Sequence, residues 1–460
     1  MLARKAALVQ RQHMPAKAKT RNQPNSLIGR LLANLVWLLG GKGFGAVCSL
    51  IYLAILTRSL GLKDFGHFSL IFGTSQALIA VAGFQTWRVV VRYGATHVHG
   101  KDWAALGRLG MLAGAIEVSG AIFGGIIAYV VFYQLADVLD LNRELIDIAF
   151  WFNVVAVWAL VSTPTGIVRA LDRFDVAVYV EALVPLGRLT AAAVIWITGP
   201  SLTKFLIAWL VIDLLEAAIY WVMAKVLCPE AVRLRHLGGW RQAFRENPGV
   251  GRFFLITYAG TGLDAGMRHG PLLAVGFFVG TSAAGLYRLA HQLAQGLSKF
   301  STLLTRATYA EIARARVVAA VSEFRNLVLQ TSRLAGAAGA LVVALAVLLG
   351  GHLLVLLGGE EFRVADAILT PLTIAASFEL ASVAFEPVLH STGRARYALV
   401  ARLIALCAVA AGVVALVGPY DAEGAAWAVA IGGLVSYIAM GLMARHTLKR
   451  LDKDHEAPTG

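Results

Sequence analysis

The feature that most constrains this chain is a succession of apolar runs, each roughly 20 residues long, divided by short polar connections. A run of that length crosses the ~30 Å hydrocarbon core of a bilayer as a helix. Lipid offers no partners to backbone N–H and C=O groups, so a spanning run must satisfy them within itself. The alternating segments of about ten residues that mark barrel strands do not occur. The runs fall near residues 31–57, 65–87, 108–133, 147–168, 174–198 and 203–226, then 252–277, 281–305, 332–357, 364–387, 395–418 and 422–445. This pattern predicts an all-α integral membrane protein with about 12 transmembrane helices. Composition agrees. The 460 residues are 58% hydrophobic and only 15% charged, where a soluble protein carries about 25% charged residues.

Charge follows the parity of the connections. The second holds Arg88, Arg92, Lys101 and Arg108, and the fourth Arg169 and Arg173. The sixth holds Lys225, Arg233, Arg235, Arg241, Arg245 and Arg252. The eighth holds Arg306, Arg314, Arg316, Arg325 and Arg333, and the tenth Arg394 and Arg396. Odd connections are poor in basic residues or acidic, with Asp137, Asp140, Glu144 and Asp147 in the third, Glu360 and Glu361 in the ninth, and Asp421 and Glu423 in the eleventh. Basic loops stay on the cytoplasmic side, so both termini are expected there. The net charge of +14 is thereby read as topology and not as a nucleic-acid surface. Residues 1–30 carry seven basic residues and no acid, and are expected to form an uncleaved, disordered cytoplasmic arm. Trp87, Trp151, Trp196, Trp221 and Tyr133 fall near predicted span ends, where amphipathic rings anchor. Cys48, Cys228 and Cys407 show neither a disulfide framework nor metal spacing.

The chain contains a repeat. Residues 61–70 and 280–289 align with Gly61 on Gly280, Gly66 on Gly285, Phe68 on Tyr287 and Leu70 on Leu289. Both stretches join an odd span to the even span after it. Asp172-Arg173 and Gly393-Arg394 form a weaker pair, each leading into the fifth span of a half. The expected organisation is a parallel internal repeat: an arm over 1–30, an N-lobe over 31–226, a connector over 227–251, a C-lobe over 252–445 and a cytoplasmic tail over 446–460.

Three stretches also resemble the polysaccharide transporter family of the multidrug/oligosaccharidyl-lipid/polysaccharide exporter superfamily, whose best-known members are O-antigen flippases. The first runs from Leu56 to Leu70 and is similar to that family's first periplasmic turn and second helix. The second runs from Val279 to Ala290 and on to Tyr309-Ala310-Glu311-Ile312-Ala313, where the family often has a proline at the place of Tyr309 or Ala310. The third is Ala170-Leu171-Asp172-Arg173-Phe174, similar to the start of helix five. The resemblance implies a V-shaped pair of six-helix bundles that alternates between inward and outward openings. It implies as cargo a sugar chain on a polyprenyl diphosphate, a place in the bacterial inner membrane and a role in lipopolysaccharide, capsule or exopolysaccharide export. Membrane lipids and a polysaccharide polymerase or export machinery are the implied partners.

Moving a diphosphate through an apolar slab requires a cationic, hydrated cavity, so ionisable residues inside spans are the candidates. Lys42 lies ~18 Å into the first span, too deep to snorkel, among Gly40, Gly41, Gly43 and Gly45. A pairing with an acid on a neighbouring helix is its structural alternative. Arg268 and His269 lie in the seventh span, and Asp264 stands one turn before Arg268 and is spaced to pair with it. Arg288 and Lys299 lie eleven residues apart on one face of the eighth span, with His291 between them. Arg188 follows Glu181 by seven residues in the fifth span, with Pro185 between, and an ion pair of the two is expected. The cationic candidates are thus Lys42, Arg188, Arg268, Arg288 and Lys299. The acids available for charge balance or ion coupling are Glu117, Glu181, Asp213, Glu216 and Asp264, together with Glu379 and Glu386. Arg92, Arg169 and Arg173 are placed to collect headgroups at the cytoplasmic mouth, or merely to set topology.

No Gly-x-x-x-x-Gly-Lys-Ser/Thr loop, no His-Glu-x-x-His pair and no cofactor or metal motif is present, and no residue is singled out as catalytic. The reading is alternating-access flipping of a lipid-linked oligosaccharide, and not an enzyme. Three rivals stand beside it. Cation-coupled multidrug efflux calls for an acidic cavity, against which Lys42 speaks. A polysaccharide polymerase or ligase calls for a large outer loop. A transport-dead scaffold would have little use for charges inside spans.

Overall fold

The computed structural model describes residues 27–135, 141–296, 321–392 and 394–456, and gives no side-chain detail for 27–43, 321–325, 327, 395 and 449–456. All contacts below lie within Gly45–Gly460, one compact unit. The described residues are helical, with no strand among them.

Leu27–Ala82 is interrupted at Gly61 (φ 70°, ψ 179°), giving residues 27–60 (α1) and 62–82 (α2). Tyr52 and Phe68 both reach Trp209, with ring centroids 5.4 and 5.9 Å away, so the two segments fold back on each other at Gly61. Next come Trp87–His99 (α3), Trp103–Tyr129 (α4) with a π-helical end at Val130–Gln134, Ile146–Trp158 (α5) and Ser162–Ala170 (α6). Phe174–Thr198 (α7), Leu202–Leu227 (α8), the short Trp240–Glu246 (α9), Val250–Phe278 (α10), residues 281–296 (α11) and Val321–Gly358 (α12) follow. Asp366–Ala381 (α13) and Phe385–Ser391 (α14) precede Ala395–Glu456. That last element breaks at Asp421 into residues 395–420 (α15) and 422–456 (α16). Gly412 against Ala428 and Gly432 against Val409 show that α15 and α16 form a second hairpin.

Among the described residues, eight stretches are long and apolar enough to cross a membrane, and two of these, Phe44–Ala82 and Arg396–Leu448, each supply two spans through the breaks. α10, with its internal Asp264, Arg268 and His269, and α11 complete twelve spans in two halves of six.

Three expected details differ. The second span ends at Ala82, and the connection after it contains α3, whose Val89, Val90 and Gly94 are buried. The fourth span is two helices, α5 and α6. Pro164 lacks an N–H and crowds the carbonyl four residues back, which is Leu160. That carbonyl instead accepts from Trp221 Nε1 at 2.8 Å. The tenth span divides likewise into α13 and α14, with Pro387 in the first turn of α14. The same break in the fourth span of each half is structural support for the repeat.

The repeat also appears as contact. Gly61 and Gly280 both adopt positive φ, 70° and 115°, which an L side chain resists. Their partners in the motif, Gly66 on α2 and Gly285 on α11, meet directly. A Cβ on Gly285 would lie 3.1 Å from Gly66 Cα, and one on Gly66 only 2.1 Å from the Thr281 carbonyl oxygen. Two equivalent helices therefore cross backbone to backbone where the halves join, the close approach that small residues permit in lipid. Leu70 fills the space over Gly276, and Leu272 the space over Gly73. At the Gly61 end the joint is tied further. Thr57 donates to Leu357 O (2.8 Å), and Arg58 donates to Val355 O (3.3 Å) and to Leu356 O through Nη2 (2.8 Å) and Nε (3.1 Å).

Candidate functional site

Six side chains converge where α1, α2, α7, α8 and α11 meet: Tyr52, Phe68, Phe72, Arg188, Trp209 and Arg288. Phe72 of α2 lies between two guanidinium groups: Arg188 Cζ of α7 is 5.3 Å from its ring centroid and Arg288 Cζ of α11 is 5.1 Å from it. Arg188 also lies over Trp209, at 5.6 Å, and Trp209 is packed edge-on by Tyr52 and Phe68. Aromatic faces carry negative charge density, so three contacts of this kind hold two cations where water is scarce. Arg188 comes from the first half of the chain and Arg288 from the second. Their common ring makes this a site of both halves.

The depth is consistent from every element. At 1.5 Å per residue, Phe72, Asp213 and Arg288 lie ~15, ~16 and ~10 Å from the Gly61-side ends of their helices. That is mid-membrane, displaced toward the Gly61 side.

Arg188 Nη2 donates to Asp213 Oδ1 at 2.7 Å, and the two side chains are only 12% and 19% exposed. Its buried Nε has no acceptor in the protein among the described residues. An unsatisfied buried donor costs about 1–3 kcal/mol, more for a charged group, so this nitrogen is suited to an incoming anion. Arg288 reaches the Gln292 amide oxygen at 3.1 Å when that amide faces it. Glu216, one turn beyond Asp213, lies in the field of both Asp213 and Arg188. Arg268 and His269 of α10 and His291 of α11 act electrostatically on one another and, through the two histidines, with Arg288, which extends the positive field along α10.

A second cluster lies in the second half. Arg402 of α15 donates to Glu386 of α14 at 2.8 Å and to Asp264 of α10 at 3.3 Å, with His390 3.5 Å from Glu386. Glu379 of α13 is electrostatically coupled to Arg268, Asp264 and Arg402.

Two expected pairs are replaced. Arg188 pairs with Asp213 on the neighbouring helix and not with Glu181, which instead binds Arg169 at 2.5 Å. Asp264 pairs with Arg402 and not with Arg268. In both cases a residue on a packed neighbour reaches the charge more directly than one along the same helix. Glu117 is separate from the site. Its oxygens accept from the Ser162 and Thr163 backbone N–H groups at 2.8 and 3.0 Å, so it caps α6 at the break in the fourth span. Arg173 pairs with Asp175 beside it, which holds the guanidinium above its usual range, and Arg92 lies 4.3 Å over Phe253. The Lys42 side chain and Lys299 lie outside the described residues. Sequence reasoning did not single out Arg402, Phe72 or Trp209. Arg402 carried the same signal as the others, a charge seven residues inside a span. The two rings carried none, since aromatic residues recur throughout these runs.

Comparison with known proteins bears on the family and the fold. Residues 31–315 match the model of the family described as polysaccharide biosynthesis protein. The inner membrane protein YghQ of Escherichia coli (strain K12) is 26% identical over 347 residues, covering 72% of this chain and 93% of that protein. The lipid II flippase MurJ in an inward closed conformation superposes with a TM-score of 0.72 at 10% identity, covering 89% of this chain and 87% of that one. An inward-facing multidrug resistance MATE family transporter of the MOP superfamily gives 0.70 at 14% identity, covering 89% and 96%. Those two likenesses establish the fold. The family match extends over more than half of the sequence, and the chain belongs to the polysaccharide biosynthesis protein family.

Proposed function

We propose that this protein flips an oligosaccharide carried on a polyprenyl diphosphate across the bacterial inner membrane by alternating access, for assembly of a surface polysaccharide such as O-antigen, capsule or exopolysaccharide. The observation that carries the reading is the pair of guanidinium groups, one from each half, on the single ring of Phe72. A diphosphate presents several oxygens, and planar guanidinium forks bind such groups with short, charge-assisted bonds. The unpartnered Arg188 Nε points to the same ligand chemistry. Arg268 adds attraction along the approach. The likeness to a lipid II flippase and to the polysaccharide biosynthesis family supports a lipid-linked saccharide as cargo. Basic even-numbered connections support cytoplasmic termini, with the Gly61 joint then on the outer side. On this reading the two halves are the lobes, 31–226 and 252–445, and the molecule performs no covalent chemistry.

The test is translocation in proteoliposomes. A polyprenyl-diphosphate oligosaccharide is placed in one leaflet and its arrival in the other is followed for wild type, Arg188→Lys and Arg288→Ala. Each substitution removes at least one charge-assisted bond, of about 1.5–3 kcal/mol, so transport is expected to fall on the order of ten-fold or more. Undiminished transport in both variants would remove the cargo from this site. Export of a cationic dye, with no movement of several such lipids, would favour multidrug efflux.

A further inference from the structure

The segment between α8 and α10 has two unlike faces. One is nailed to the first turns of α4. Arg108 Nε donates to Glu246 Oε2 at 3.0 Å, and Asp102, at the start of the same helix, caps it through Ala105 N at 2.9 Å. His236 and the Glu230 carbonyl press on Gly107, and the Ala231 carbonyl on Gly110, at distances that no side chain at those glycines would allow. Ala231, His236, Ala243 and Asn247 are accordingly buried. His97 of α3 closes the far end on Asn247 at 2.9 Å.

The other face is apolar and open. Leu234, Leu237, Trp240 and Phe244 recur every three or four residues, and are 79%, 50%, 49% and 42% exposed. Arg233, Arg235, Arg241 and Arg245 flank them and are all exposed. The acids of the segment are already engaged, Glu230 by Arg233, Arg235 and His236, and Glu246 by Arg108.

We infer that residues 233–245 are an interfacial anchor that lies in the headgroup layer and binds anionic phospholipid. The segment leaves α8 at Leu227, re-enters α10 at Val250 and is held against the end of α4. It therefore stays at the level of the headgroups. Exposed leucines and aromatics insert below a charged layer, and arginines beside them complement negative lipid, at roughly a five-fold preference each over a neutral surface. A water-facing loop would have little use for four large apolar side chains on its open face, and a partner protein would meet a surface already committed to the membrane boundary.

The experiment uses the full chain with Cys48, Cys228 and Cys407 replaced by Ala and Leu237→Cys carrying a nitroxide. It is reconstituted in liposomes of phosphatidylcholine alone or with phosphatidylglycerol. Collisional access to oxygen is compared with access to a water-soluble nickel chelate. With phosphatidylglycerol the label is expected to favour oxygen several-fold over its value in the neutral lipid. Arg241→Glu with Arg245→Glu is expected to erase that lipid dependence, and Leu234→Cys, labelled alike, to repeat the Leu237→Cys result. Equal nickel access at both positions in both lipids would overturn the inference. So would shielding from both reagents that grows with protein concentration, which would identify a second copy as the occupant.

Discussion

Arg188 holds a carboxylate and two rings at once, and among the described residues its Nε has no protein acceptor. Lysine in its place would keep the charge but lose the flat fork that stacks and hydrogen-bonds together. Transport by Arg188→Lys should therefore fall with little change in folded yield, which size-exclusion chromatography beside the flipping assay would separate. Glu117 works in the opposite sense, since its carboxylate is spent on two backbone N–H groups at the start of α6. Glu117→Gln replaces one acceptor oxygen by a donor that faces one of them. A loss of about 2 kcal/mol in stability is expected, read as a lowered Tm in detergent, with transport per folded molecule largely kept. Glu230 gives a pH dependence. Its bonds from Arg235 and then His236 hold its carboxyl below the usual carboxylate range. A depressed value in the folded state contributes stability above that range and loses it as pH falls through the lower, folded value. Connector protection in hydrogen exchange should thus be flat from about pH 5 to 8 in this group's contribution and decline only below about pH 4.

At the scale of elements, the broken fourth and tenth spans make the clearest case. Leu160 O loses its helical partner to Pro164 and regains one from Trp221. Trp221→Phe leaves that carbonyl without a donor and should cost about 1–3 kcal/mol, measurable as a drop in Tm, whereas Trp196→Phe on the exposed face of α7 should cost far less. These breaks also show where the sequence was legible. Apolar runs of spanning length yielded all twelve spans, because the bilayer imposes one length on every helix. The glycine motif disclosed the repeat, because a turn with positive φ and a close helix crossing both demand glycine. The breaks were hidden, because a run of spanning length averages the polar stretches around Pro164 (Ser162 to Gly166) and Pro387 (Glu386 before it) with the apolar residues on either side. Pairing was misread for a related reason. Spacing along a helix can be counted, so Glu181 with Arg188 and Asp264 with Arg268 suggested themselves. The partners actually chosen, Asp213 and Arg402, depend on the register between helices, which no single run contains. Phe72 remained unseen until α2 and α11 were brought together.

Across the whole molecule, the halves are locked at the Gly61 end by Gly66 on Gly285, by Thr57 and Arg58 on the last carbonyls of α12, and by Phe65 against Phe362, 5.7 Å apart. Gly66→Leu cannot be housed 2.1 Å from the Thr281 carbonyl oxygen, so it should wedge this joint open. Spin labels at Asp64 and Glu361 should then report longer and broader distances by double electron–electron resonance, with transport lost. Arg58→Ala removes only hydrogen bonds and should shift the same distribution less. The bond network at this joint bears on how the proposed cargo would leave. Arg288 travels with α11 and Phe72 with α2, while Arg188 stays with Phe72's own half. Parting the halves at Gly66 and Gly285 therefore pulls one guanidinium off the shared ring and leaves the other in place. On the flipping mechanism proposed above, the site would work as tongs and not as a cup: the movement that exposes the cargo to the far side would also loosen the grip, with no separate event needed to let go.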